Sequence, residues 1–311
     1  SELLGKEVKF VGDCVGPEVE KAVASSRPGD VILLENLRFY SEEEANDAAF
    51  AAKLAASTPL YVNDAFGSAH RAHASTEGIT RFVERAAAGF LMEKELRYLG
   101  GILGSPQRPF IAILGGAKIS DKIEVIENLL GRVDRLLVGG AMAFTFLKSQ
   151  GKSVGKSLCE EDKLDLARQL LAGAPGTIVL PVDAVVSPTP EDEASAHTVS
   201  ADRSPDHELG LDLGPETSAA FAAVIRSAKT IVWNGPMGVF EKEAFSSGTV
   251  NVARAVADSG ALSVVGGGDS AAAAAKAGVA DRITHISTGG GASLEFLAGR
   301  VLPGVAALNE K

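Results

Sequence analysis

The stretch Ser263–Lys276, SVVGGGDSAAAAAK, passes from an apolar strand through three glycines into an alanine-rich helix. A strand end, a loop without Cβ atoms and a helix N-terminus bring unpaired backbone N–H groups and the positive end of a helix dipole to one point, which suits a phosphate. Asp269 and Ser270 fall where the helix begins, and either could simply cap it. The functional alternative has Asp269 holding a divalent cation while the amides around Gly267, Gly268 and Ser270 receive phosphate oxygens.

Two patterns imitate other nucleotide motifs. Gly266, Gly268 and Ala271 match the relaxed dinucleotide form G-x-G-x-x-A, but no acidic residue ends a following strand at the distance a ribose diol needs. Gly151–Ser157, GKSVGKS, resembles a P-loop, yet Gln150 stands where a glycine is required and the helix Ala141–Gln150 precedes it in place of a strand. A surface loop is expected there.

Four more strand ends carry polar or glycine-rich groups. In ILGGAKISDKIE, Lys118 and Lys122 lie four apart at the edge of a helix. On an arbitrary helix such a pair is a solvated face. After a strand and Gly115-Gly116, both ammonium groups point to the loop mouth, where phosphate charge needs neutralising. In IVWNGPMGVFE, Asn234-Gly235-Pro236 reads as a tight turn and Glu241 as an exposed acid. Otherwise Asn234 lines the phosphate path and Glu241 accepts from ribose hydroxyls. ISTGGGASLEF is another glycine cradle before a helix, and Gly139-Gly140 in LLVGGAMAFTF leave room for a flat adenine ring. Nearer the start, Arg38 in ILLENLRFY and Arg71 in YVNDAFGSAHRAH both follow strands. One exposed arginine is usually only solvated surface, but two at strand ends suggest an anionic second substrate held bidentately. His70 and His73 have metal-pair spacing without an evident third ligand, so polar packing is the plainer expectation.

These residues require a scaffold of repeated βα units. Val8–Val11, Val31–Leu34 and Leu60–Val62 read as strands, with Gly16–Ser25 and Glu42–Ala56 as helices. Phe90–Leu103 reads as a long amphipathic helix between domains. The pattern then restarts with strands Phe110–Leu114, Arg135–Val138, Thr177–Leu180, Thr230–Trp233, Leu262–Val265 and Ile283–Ser287, interleaved with helices. Pro188–His207, charged and poor in apolar residues, is expected to run over the surface. The fold class is therefore α/β, with two doubly wound, Rossmann-like parallel-sheet domains joined by a hinge helix, the first incomplete because few strands precede residue 80. The expected boundaries are 1–88, an interdomain helix at 89–105, a nucleotide domain at 106–290, and a segment at 291–311 returning toward the first domain.

Composition narrows the function classes. The 311 residues suit two domains, and 46% hydrophobic with 23% charged residues gives ample core material. A net charge of −10 and a pI near 5.1 argue against general nucleic-acid binding, although a local basic patch can still hold an anion. Cys14 and Cys159 are isolated, as in a reduced cytoplasmic protein. No run of eighteen apolar residues and no charged-then-apolar leader is seen, so no membrane partner is expected.

LLENLRF, VNDAFGSAHRAHAS, ILGGAKISDKI, WNGPMGVFE, GGGDSAAA and STGGGASLEFLAG, in this order and spacing, resemble phosphoglycerate kinases across essentially the whole chain. The resemblance implies a monomeric, two-lobed, hinge-bending glycolytic kinase that moves a phosphoryl group between 1,3-bisphosphoglycerate with ADP and 3-phosphoglycerate with ATP, using Mg2+. It implies Lys118, Lys122 and Gly268 around the transferring phosphoryl, Asp269 at the nucleotide's magnesium, Glu241 at the ribose and Gly210 in the nucleotide pocket. Gly139, Asn234, Gly267 and Ser270 would complete the nucleotide site, and Arg38 and Arg71 would hold the triose phosphate. The family's opening strand with its Asp-x-Asn turn, and a further arginine and histidine, have no counterpart before Val8. A fragment with impaired activity is the expectation. A non-catalytic nucleotide-binding module and an NAD-dependent oxidoreductase are the alternatives.

Overall fold

Runs such as FIAIL, TIVWN and LSVVG have no alternating polar positions, so strands built from them need cover on both faces, as in a parallel sheet flanked by helices. The computed structural model, which describes residues 1–309, has that arrangement. It divides into two units, Ser1–Lys94 with Val301–Lys311 and Glu95–Arg300.

In the first unit β1 (Lys9–Val11) pairs in parallel with β2 (Ile32–Leu34), with helix α1 (Pro17–Ala24) between them in sequence. The expected helix over 42–56 is instead two, α2 (Ser41–Glu44) and α3 (Ala48–Ala55). Asn46 takes a left-handed φ of 54° that stops the first, and the Asp47 carboxylate starts the second by accepting from the Phe50 amide at 2.8 Å. β3 (Leu60–Asn63) pairs in parallel with β4 (Arg85–Ala88). The latter strand escapes a sequence reading because RAAA has no branched or aromatic side chain. Late residues of the chain belong to this unit: Asn63 Nδ2 donates to the Gly304 carbonyl at 3.3 Å, and Asn309 Oδ1 accepts from the Ala86 amide at 2.7 Å.

Helix α4 (Phe90–Gly104) contains the boundary between units. Its Glu95 is fully buried inside the second unit. One carboxylate oxygen meets His285 Nε2 at 2.7 Å, and the other accepts from the Thr288 amide at 2.7 Å and its hydroxyl at 2.9 Å. The His285 ring stacks on Tyr98 with centroids 4.8 Å apart.

The second unit runs β5 (Phe110–Leu114), α5 (Ile123–Leu130), β6 (Arg135–Val138), α6 (Met142–Ser149), β7 (Ser153–Val154), α7 (Leu164–Gly173), β8 (Ile178–Val179), β9 (Asp183–Ser187), β10 (His197–Ser200), β11 (Arg203–Ser204), β12 (Leu209–Leu213), α8 (Pro215–Arg226), β13 (Thr230–Asn234), α9 (Ser247–Asp258), β14 (Leu262–Gly266), α10 (Gly268–Lys276), β15 (His285–Ile286) and α11 (Gly290–Leu297). Six strands form one parallel sheet in the order β15-β14-β13-β5-β6-β8. Trp233, Phe221, Ile113 and Val256 anchor the core on one of its faces. The segment 188–207 is more than a surface excursion, because β10 and β12 flank β9 in an antiparallel sheet and β11 pairs with β7 inside the expected GKSVGKS loop. Those strands are short and half-exposed, so their apolar content is too low to announce them. The carboxyl ends of β5, β6, β13 and β14 all lie along one edge of the parallel sheet, where ligands of such folds bind.

Candidate functional site

Backbone hydrogen bonds lace these strand ends together. The Gly115 amide donates to the Asn234 carbonyl at 2.9 Å and Gly116 to Pro236 at 3.0 Å, while Gly140 donates to Met237 at 2.9 Å and Met142 to Gly116 at 3.0 Å. Two close approaches demand glycine. A Cβ on Gly139 would meet Met237 Sδ at 2.5 Å, and one on Gly210 would collide with the Phe144 ring.

A cleft of about 520 Å³ opens beyond the loops. Its walls come from Gly116 and Ala117 after β5, Gly140, Ala141 and Phe144 around the start of α6, Leu209–Leu213 on β12, and Pro236–Val239 after β13. Among the described residues, Asp212, Glu241 and Asp269 are the ionisable side chains along it, and the rest of the lining is apolar. Gly140 lines the cleft and Gly139 does not, because Met237 fills the space in front of Gly139. Gly210 lines it beside Phe144.

At the β14–α10 turn the sequence-predicted groups form a connected set. Lys122 is 8% exposed, and its ammonium donates to Asn234 Oδ1. The Asn234 amide nitrogen donates in turn to the Gly266 carbonyl at 2.8 Å, and Gly267 lies against that nitrogen. The Ser270 hydroxyl accepts from the Gly235 amide at 2.6 Å, so it ties the β13 turn to α10. Neither Asp269 nor Ser270 caps α10, whose N-cap position is Gly267 without a side-chain hydrogen bond. Asp269 is exposed at the rim. Burial pulls the Lys122 pKa down to about 8, against the opposing charges of Asp121 and Asp269. Lys118 is exposed and stands outside the cleft wall, as does the exposed Gly268.

In the first unit Arg38 is exposed, 3.8 Å from Glu44, and borders a cleft of about 560 Å³ with a mixed polar and apolar lining that includes Asn63 and His73. Arg71 is exposed, its Nε donating to His70 Nε2 at 3.3 Å, and it does not border that cleft. His73 is buried with Nδ1 3.9 Å from Glu43 Oε1. Among the described residues no group of three or more His, Cys, Asp or Glu is arranged to hold a metal ion.

The sequence reading omits Phe144, Leu158, Asp212 and Met237 from the site. Phe144, Leu158 and Met237 look like ordinary core residues. Asp212 left a signal, an acid in the middle of the apolar strand LGLDL. It is buried, its Oδ2 accepts from the Gly248 amide at 2.7 Å, and desolvation pushes its pKa up to about 7.

A doubly wound unit with glycine loops, a buried lysine and a helix N-terminus at the rim of an apolar cleft defines a nucleotide-handling α/β protein. The sequence model of one family, phosphoglycerate kinase, matches residues 1–300. The chain belongs to the phosphoglycerate kinase family, phosphotransferases with a carboxyl group as acceptor. It is 61% identical over 308 residues to a phosphoglycerate kinase of Solibacter usitatus, covering 99% of this chain and 78% of that protein. A chloroplastic phosphoglycerate kinase of Volvox carteri is 56% identical over 317 residues, covering 100% of this chain and 69% of its own length. The solved structure of phosphoglycerate kinase from Coxiella burnetii superposes with a TM-score of 0.89 at 43% identity, over 98% of this chain and 78% of that one. This membership sets aside an NAD-dependent oxidoreductase.

Proposed function

We propose that the chain works as a phosphoglycerate kinase, moving a phosphoryl group reversibly between 1,3-bisphosphoglycerate with ADP and 3-phosphoglycerate with ATP. The observation that carries the reading is Lys122, a desolvated ammonium at the β14–α10 turn beside an apolar cleft sized for a nucleoside. The flat wall at Gly140, Gly210, Phe144 and Met237 takes the base, and the exposed Glu241 carboxylate accepts from ribose hydroxyls. The phosphates run to Gly267, Gly268 and the open first turn of α10, where backbone amides and the dipole favour anions. Asn234 holds Lys122 in place, and Gly139 and Ser270 shape the loops around that path. In a low-dielectric site the lysine charge acts strongly on phosphoryl oxygens. Lys118, exposed on the same loop, reaches the outer phosphate. Phosphoryl transfer depends on in-line positioning and charge neutralisation, so no protein nucleophile is needed.

The Asp269 carboxylate has no hydrogen-bond or ion-pair partner among the described residues, which fits a hard cation held mainly by the nucleotide. Magnesium bound there would neutralise charge on the phosphates. Arg38 and Arg71, both exposed after strands, suit the phosphate or carboxylate of the triose. Two free cysteines suit a reduced, cytoplasmic setting. No helix of the described residues is long and apolar enough to cross a membrane.

Calorimetric titration with MgADP tests the site, alongside turnover with 3-phosphoglycerate and ATP. One-site binding is expected, weakened about tenfold or more in both Lys122→Ala and Asp269→Ala. Absence of binding by folded wild-type protein overturns the assignment.

A further inference from the structure

The loop that carries Lys118 and Lys122 is held from outside by a single carboxylate. Glu160 Oε2 accepts from the amides of Ile119 at 2.6 Å and Ser120 at 3.0 Å, and its Oε1 accepts from the Ser120 hydroxyl at 2.5 Å. All three donors lie between the two lysines in sequence. The loop contributes its own Gly116 and Ala117 to the cleft wall, so its path sets both the wall and the lysine positions.

Glu160 ends a segment that grips the opposite side of the cleft as well. The Lys156 amide donates to the Glu208 carbonyl at 2.8 Å, and Ser157 Oγ accepts from the Gly210 amide at 2.9 Å. Leu158 lines the cleft itself. The Glu160 amide donates to Thr145 Oγ1 at 3.1 Å on α6, the helix whose Phe144 forms the cleft wall. Residues 156–160 thus form a strap touching the lysine loop, α6 and β12.

We propose that Glu160 is a positioning residue for phosphoryl transfer, fixing the loop of Lys118 and Lys122 so that contact of a nucleoside with the strap and contact of phosphates with the lysines are made in one geometry. This rests on the nucleotide-site reading given above. A carboxylate near the start of a helix can also act as a plain stabilising cap. The two roles differ in what they do to ligands: a cap protects the fold without distinguishing ligands, whereas a positioning residue acts on the phosphate-bearing ligand alone. Gln in place of Glu160 keeps the size but offers one acceptor oxygen and a competing N–H pair, so it cannot satisfy all three donors.

The test compares MgADP with adenosine in titrations of the full chain, wild type, Glu160→Gln and Ser120→Ala, each checked for folding by circular dichroism. Wild type is expected to bind MgADP at least about tenfold more tightly than adenosine. Glu160→Gln should lose about tenfold in MgADP affinity with adenosine affinity changed less than about twofold, and Ser120→Ala about threefold in the same direction. Where turnover is measured, kcat should fall in parallel with MgADP affinity. Equal loss of both ligands, or loss of neither, overturns the positioning role and leaves the nucleotide site standing. Equal wild-type affinity for MgADP and adenosine overturns the phosphate-site reading and this inference with it. If Glu160→Gln does not fold, Ser120→Ala decides by the same comparison.

Discussion

Lys122 keeps a charge where the surroundings oppose it, and its titration should report on ligand. With a folded pKa of about 8 against 10.5 for a free lysine, the unfolded chain binds more protons across that window, so this group makes stability rise with pH between those values. Phosphate oxygens favour the ammonium, so MgADP binding takes up a proton near pH 8 and affinity falls as pH climbs above it. Titration calorimetry in buffers of differing ionisation heat measures the uptake, which a Lys122→Met variant should lack. At this scale a polar residue after a strand end was a partial guide: Glu241 and Asp269 line the cleft and Lys122 pairs with Asn234, while Lys118 stands outside the wall. The sequence was illegible where neighbours compete for one position. Gly140 rather than Gly139 reaches the cleft, and the Ser270 hydroxyl turns to Gly235, because the path of a turn decides which group faces outward.

Elements were readable in proportion to their burial. β5, β13 and β14 are covered on both faces, and their unbroken apolar runs announce them. β10 and β11 leave at most half of their residues in the core and remained hidden until paired. The strap at 156–160, with only short-range irregular structure, gave no periodic signal at all. Between elements, the contact of β12 with α6 is set by the missing side chain of Gly210. A Gly210→Ala change should cost about 1–3 kcal/mol by displacing the Phe144 ring and should weaken nucleotide binding as the wall shifts. Thermal melts and ADP titrations of the variant check both halves.

Across the whole molecule, the fold class was legible because βα repeats recur on both sides of α4, and contacts such as Asn309 with Ala86 give late residues of the expected returning segment their partners in the first unit. Glu95 ties the middle of the chain to its far end, 190 residues away at His285. Burial would raise its pKa, but hydrogen bonds from His285, the Thr288 amide and the Ser287 and Thr288 hydroxyls outweigh it and hold the carboxyl below the usual value of 4.5. The depressed pKa means that this stabilisation is present above pH 4.5 and is lost as pH falls through the folded value. Removing one partner leaves an uncompensated buried group, so Glu95→Ala should lose about 3–5 kcal/mol. Denaturant melts of the variant at neutral and acidic pH give the loss and its decline on acidification.

The lining of the cleft has one more consequence. Along the wall of Gly140, Phe144, Gly210 and Met237 the side chains are apolar, and the carboxyl of Asp212 is the polar side chain on the adjoining strand. Flatness and size are what such a wall can measure. Two purine bases of like size should therefore be told apart poorly there, and titrations with MgADP and MgGDP are expected to give affinities within about tenfold of each other.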